Sequence, residues 1–382
     1  MVLQVKRNEN APPRAFHPHN SIKSIGSRLR SSFHDHKRTH RARTAARGST
    51  HASKQGKHKR TKTSHSATLD FEVATMPQTS MDVEMVDAEP QPRTTKTYRL
   101  PKDLLRPVLP EVSIKALVDV DPELTEDLPI EYIRDYMEEL GPGLLRAAVT
   151  VVANPPKDAL PKEIAITVND HSDYPPPTHM LAIHGRTTSD APGTARRQVT
   201  LVPLHSVVLS LHCARLPKLS PSPSPPTYLS DDRTQLVVPV QPLCLPSPPT
   251  FNLLSAFLYT KRADHLLKSL LPCPPPPTLD DERAKGLPSF ATHLAETYTA
   301  QALLRHINSV HGLWQNACVL GVLIDELWDM IDLAWEVLLT AMAISQGKAH
   351  LMLRRPSSTP PSDAASSSAT PEPTSTASTP AP

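Results

Sequence analysis

Large apolar side chains are sparse across residues 1–66, return in force near Tyr98, and thin out again after Gly347. Between those limits the apolar pattern changes period several times. In 130–140 (IEYIRDYMEEL), Ile130, Ile133, Met137 and Leu140 recur at steps of three and four, which predicts one apolar helical face. Asp127 and Pro129 supply N-cap and first-turn chemistry, and Gly141-Pro142 predicts the stop. A second apolar piece, 144–152, ends at Asn154-Pro155-Pro156. Residues 163–168 (EIAITV) alternate with a period of two, so Ile164, Ile166 and Val168 share one side of a predicted strand. A short strand is predicted at 179–184 (HMLAIH), and 198–213 begins extended and turns helical after Pro203. Residues 236–240 (LVVPV) read as a strand weakened by Pro239. Residues 250–271 read as a helical stretch carrying Phe251, Leu254, Leu258, Leu266 and Leu270. The last third, 290–344, reads as helix broken near Gly312 and Gly321, with Leu327, Met330, Ile331, Ala334, Leu338 and Met342 recurring at steps of three and four.

The fold class this predicts is α+β, with strands in the middle third and helices at the end. The 43 prolines sharpen the boundaries, because each removes a backbone donor and fixes φ. Residues 218–230 and 272–289 read as proline-rich loops, 1–97 as a long disordered tail, 98–347 as the globular part, and 348–382 as a Ser/Thr/Pro-rich disordered tail.

Charge divides the chain further. Residues 1–66 hold 16 Lys and Arg against Glu9 and Asp35, a local +14 beneath an overall +3. Residues 67–97 turn acidic and read as a linker. Within the basic part, Lys57, Lys59, Arg60 and Lys62 form a dense cationic run on an accessible backbone. Such runs serve nuclear import or phosphate-directed, salt-sensitive nucleic-acid contact, or only keep a tail solvated. A mitochondrial transit peptide is also Arg-rich, but Pro12, Pro13 and Pro18 interrupt the helix it requires. The start of the chain has no apolar run of the secretory kind, and no window is long and apolar enough for a membrane span. An intracellular, nuclear location is expected.

Candidate chemistry is thin. Neither G-x-G-x-x-G nor the P-loop pattern occurs, nor G-x-S-x-G, nor H-E-x-x-H. Cys213, Cys244, Cys273 and Cys318 are too far apart for a zinc knuckle or a disulfide framework. His205, His212 and Cys213 come nearest to a nucleophile constellation, but His205 sits among apolar neighbours and reads as a buried, hydrogen-bonded residue. No enzyme activity, metal or cofactor is expected. In the last third, Asp325, Asp329, Asp332 and Glu336 are spaced four, three and four apart as an acidic ridge. Trp328 and Trp335 lie two turns apart beside it. Together, Trp328, Trp335, Asp325, Asp329 and Asp332 make a candidate docking edge for a protein partner, unless the indoles seal the chain's own core.

Two resemblances bear on this pattern. In residues 199–219 and 236–271, His205, Val208 and Leu209 and then Phe251, Leu253, Leu254, Phe257, Leu258, Tyr259 and Thr260 resemble the H-x-x-V-L helix and FLYT helix of a BTB/POZ domain. Cys213 stands where that family has Ser, and Lys261 replaces its turn Gly. This resemblance implies a divergent BTB/POZ-like core at about 160–271, homo-oligomerisation through it, and a helical extension at about 290–346. The order of a basic start, PLHSVVLSLHCARLP, the FLYT helix and HINSVHGLWQNACVLGVLIDELWDMIDLAWEVL resembles the clampless family of regulators of sexual development in basidiomycete fungi. That resemblance implies a non-enzymatic regulator of clamp-cell formation and dikaryon division, acting with mating-type homeodomain transcription factors.

Overall fold

The computed structural model describes residues 67–75 and, with short gaps, 94–353. Lys57, Lys59, Arg60 and Lys62 lie outside the described residues. The described chain is α+β, as the periodicities predict.

Five strands build the main sheet: β3 (Val151–Ala153), β4 (Glu163–Val168), β5 (His179–His184), β6 (Val199–Leu204) and β8 (Arg233–Cys244). Their spatial order is β3-β4-β8-β5-β6, and the short β7 (Thr227–Ser230) also pairs with β8. Only the β5–β8 pairing is parallel among these. The strand foreseen as a weak five-residue piece is thus a twelve-residue central one. Its prolines fit because the lost donors face empty edges. Val240 donates to Lys162 on the β4 side, so Pro239 faces the other edge, where pairing with β5 starts only at Val240. Pro242 faces the β4 side beyond the point where β4 begins.

The sheet has two distinct apolar sides. Ile164, Ile166 and Val168 of β4 align with Leu236 and Val238 of β8 and with Met180 and Ala182 of β5 in a separate cluster. The alternate residues Leu181, Ile183, Leu204 and Leu243 join the main helical core.

That core is formed by α1 (Ile114–Val120), α2 (Ile130–Val149), α3 (Ser206–His212), α4 (Phe251–Thr260), α5 (Ala263–Leu270), α6 (Arg283–Thr297), α7 (Ala300–Leu320) and α8 (Asp325–Ser345). Several predicted boundaries move. Helix α2 runs unbroken through Gly141-Pro142-Gly143, and its N-cap is Pro129 rather than Asp127. The glycines serve close approach, not termination: a Cβ at Gly141 would lie 1.8 Å from the Tyr259 carbonyl oxygen, and one at Gly143 2.2 Å from the Tyr174 ring. Gly312 likewise lies inside α7, where a Cβ would meet the Ser247 hydroxyl at 2.4 Å. Gly321 does end its helix, in the left-handed conformation with φ 68°. The single helical stretch expected at 250–271 divides into α4 and α5 at Lys261, itself left-handed. Helix α6 begins inside the expected loop 272–289, and α9 (His350–Leu353) inside the expected C-terminal tail.

The linker reading of 67–97 also needs correction. Thr68–Thr75 is a strand, β1, antiparallel to β2 (Thr94–Pro101), and it buries Leu69, Phe71 and Val73 in the main core. TLDFEVAT carries the period-two signal, but the acidic residues around it mask that signal in composition. Gln346, just past α8, donates to the Glu72 carbonyl at 2.8 Å and fastens the hairpin to the helical end.

Candidate functional site

Helix α8 is apolar around most of its circumference, so it is buried rather than laid on a surface. The three indoles show what encloses it. Trp328 is 4% exposed and donates to the Val322 carbonyl at 3.0 Å. Trp335 is 2% exposed and donates to the Pro101 carbonyl at 3.2 Å. Trp314 on α7 donates to the Leu105 carbonyl at 3.1 Å. Pro101 ends β2, and Leu105 belongs to the segment that runs on from it to α1 without helix or ladder. It lies as a strap across α7 and α8. Leu104 and Val112 anchor it in the core, while Leu105 and Val108 stay exposed.

The strap also occupies the acidic ridge. The Arg106 guanidinium donates to Asp329 at 2.6 Å and to Asp332 at 2.7 Å. The pair of carboxylates raises the arginine's already high pKa. The docking edge read from sequence is therefore corrected. Trp328 and Trp335 are core residues, and Asp329 and Asp332 hold the chain's own Arg106. Asp325, the first residue of α8, lies apart from them on the wall of a cavity.

That cavity, about 330 Å³, forms where four helices meet. Helix α2 contributes Arg134 and Glu138, and α3 contributes Leu211 and His212. Phe257 and Lys261 come from the end of α4, and residues 323–326 from the start of α8. Backbone bonds hold these walls together. Leu323 donates to the His212 carbonyl, Ala214 to that of Gly321 and Arg215 to that of Leu320.

At the head of α3, a closed polar knot surrounds His205. Its Nε2 is 3.0 Å from the Pro175 carbonyl, which can only accept, so Nε2 carries the proton. Nδ1 then accepts from the Tyr259 hydroxyl at 2.9 Å, and that oxygen accepts from the His205 backbone N–H at 2.8 Å. Burial lowers the His205 pKa to about 4, despite the Pro175 carbonyl favouring protonation, and raises that of Tyr259. Burial also pushes the Cys213 thiol up to about 12, so it carries no thiolate at neutral pH. His205 and Cys213 are thus buried packing groups, while His212 faces the cavity.

Lys261 is different. It ends α4 at φ 53°, a left-handed conformation that favours glycine. Its ammonium nitrogen is shielded from water and has no hydrogen-bond acceptor; its nearest aromatic neighbour is the Phe257 ring, 5.9 Å away. Burial lowers its pKa to about 7, opposed by the carboxylates of Glu138 and Glu326 and reinforced by Arg134. His212 beside it is held well below its ordinary value, by burial and then by Lys261 and Arg134. No cluster of metal-ligating side chains occurs among the described residues, and no described helix is long and apolar enough to cross a membrane. In the sequence, Lys261 stands out only as a departure from a turn glycine. That departure is the one signal of it in the sequence.

Comparison with protein families places residues 107–246 on the Clampless protein 1 N-terminal domain and residues 264–370 on the Clampless protein 1 C-terminal domain. The first match takes in the strap from Pro107 onward and the sheet; the second takes in α7 and α8. No curated protein and no solved structure matches the chain.

Proposed function

Because the chain belongs to the clampless protein family, we propose that it regulates clamp formation in a basidiomycete fungus as a non-enzymatic nuclear adaptor that works with mating-type homeodomain factors. The observation that carries this reading is the pair of matches to both clampless domains, in order, along one chain. The cationic run at Lys57, Lys59, Arg60 and Lys62 supports nuclear import. In the same reading, residues 160–271 form a divergent BTB-like core through which copies pair. The succession β6, α3, β8, α4 with His205 buried at the head of α3 supports that part.

The test is co-purification of the tagged full chain with the homeodomain pair from dikaryotic cells. Recovery of both factors is expected; recovery of neither overturns the adaptor role. The +14 charge of residues 1–66 favours a second reading, direct phosphate-directed binding of nucleic acid. DNA retention that falls steeply with salt and disappears when residues 1–66 are removed would favour that reading instead.

A further inference from the structure

Lys261 combines two unfavourable features in one residue. A side chain is held where glycine is preferred, and an amine is buried without an acceptor. A lysine retained for packing alone would send its head group to water or to a carboxylate. Backbone strain together with an orphaned polar group at a cavity is the combination expected of a ligand contact.

The charge around it narrows the ligand. Arg134 carries a positive charge, and Lys261, lowered to about 7 by burial, gains its full charge when an anion faces it; Glu138, Asp325 and Glu326 bring carboxylates, and His212 is held neutral. The remaining lining is apolar, with Leu211, Phe257 and Leu323. A simple anion would meet three carboxylates, and a simple cation would meet the lysine and the arginine. A molecule bearing both charges close together, with an apolar tail, matches all three kinds of wall. The cavity's size falls at the small end of ligand pockets.

We propose that this cavity binds a free α-amino acid with an apolar side chain, its carboxylate taken by Lys261 and its ammonium by the carboxylates at the start of α8 and on α2. Contact with the carboxylate requires the terminal torsions of Lys261 to turn its amine, shielded from water in the ligand-free fold, into the cavity, where the ligand supplies the missing acceptor. The site closes α2, α3, α4 and α8 around one molecule, so occupancy couples both halves of the chain. No step of the clamp-regulating role is needed for it.

Calorimetric titration of the full chain at neutral pH with L-leucine and L-phenylalanine tests this, beside two leucine analogues, isoamylamine and 4-methylpentanoate. At least one amino acid is expected to bind, and each singly charged analogue about tenfold or more weaker, the loss of one charged hydrogen bond. Lys261→Met is expected to weaken binding by a similar factor while its tryptophan fluorescence stays native. Glu326→Gln, an exposed change that leaves the fold alone, is expected to weaken the amino acid but not 4-methylpentanoate. Failure of both amino acids to bind, equal binding by either analogue, or undiminished binding by a folded Lys261→Met protein overturns the proposal.

Discussion

Lys261 makes a measurable commitment at the level of single residues. Its folded pKa of about 7 lies below the 10.5 of the exposed side chain, so between these values the unfolded chain binds the extra proton. Stability therefore rises with pH across that window, and the full cost is present at and below neutrality. Lys261→Met removes the cost. The variant is expected to melt several degrees above the wild type at pH 7, with the gap closing toward pH 10, as paired melting curves would show. His205 acts in the opposite part of the scale. Its pKa falls from 6.5 to about 4 on folding, so stability is lost as pH drops from 6.5 toward 4. Urea midpoints at pH 6.5 and 4.5 check this, and a His205→Gln protein that still folds should lose less between them. The buried state of His205 was legible in its apolar neighbours. The cavity at Lys261 was not, because Arg134, His212, Lys261 and Asp325 are brought together by tertiary packing from four separate segments.

At the scale of elements, periodicity located β4, β5, β6, β8 and the long helices, missed β1, β2 and α1, and placed element ends poorly. Glycine was the main source of error. Gly141 and Gly312 read as breaks, but each is small because another backbone or side chain touches the helix there. Sequence cannot separate those two uses of glycine. The strap was similarly invisible, since Arg106 finds Asp329 and Asp332 across more than two hundred residues. Leu254 on α4, fully buried, is where core packing should be most sensitive: Leu254→Ala is expected to cost about 2–5 kcal/mol in chemical denaturation. Trp335→Ala removes both a buried ring and the bond to Pro101, and should lower the melting temperature by several degrees through a loss of about 3–5 kcal/mol. Arg106→Ala is a milder change, about 1 kcal/mol or less, because the guanidinium and its carboxylates are partly exposed. If Trp335→Ala melted like the wild type, the strap could not be part of the cooperative fold.

At the scale of the whole molecule, the α+β body is held as a unit by one large apolar core that includes the β1–β2 pair, Leu104 and Val112 of the strap, and all the long helices. The basic run at residues 57–62 stands apart from this body in sequence and composition. The proposed nuclear role would use both parts: the body for partners and the cationic run for location. One measurement joins them, the count of clamp cells in a dikaryon lacking its own clampless gene and supplied with variants of this chain. The wild type is expected to restore clamps. A chain with Lys57, Lys59, Arg60 and Lys62 replaced by Ala is expected to fail, and to recover when an unrelated nuclear import signal is fused to it. Full restoration of clamps by the quadruple variant while it remains in the cytoplasm would contradict the account.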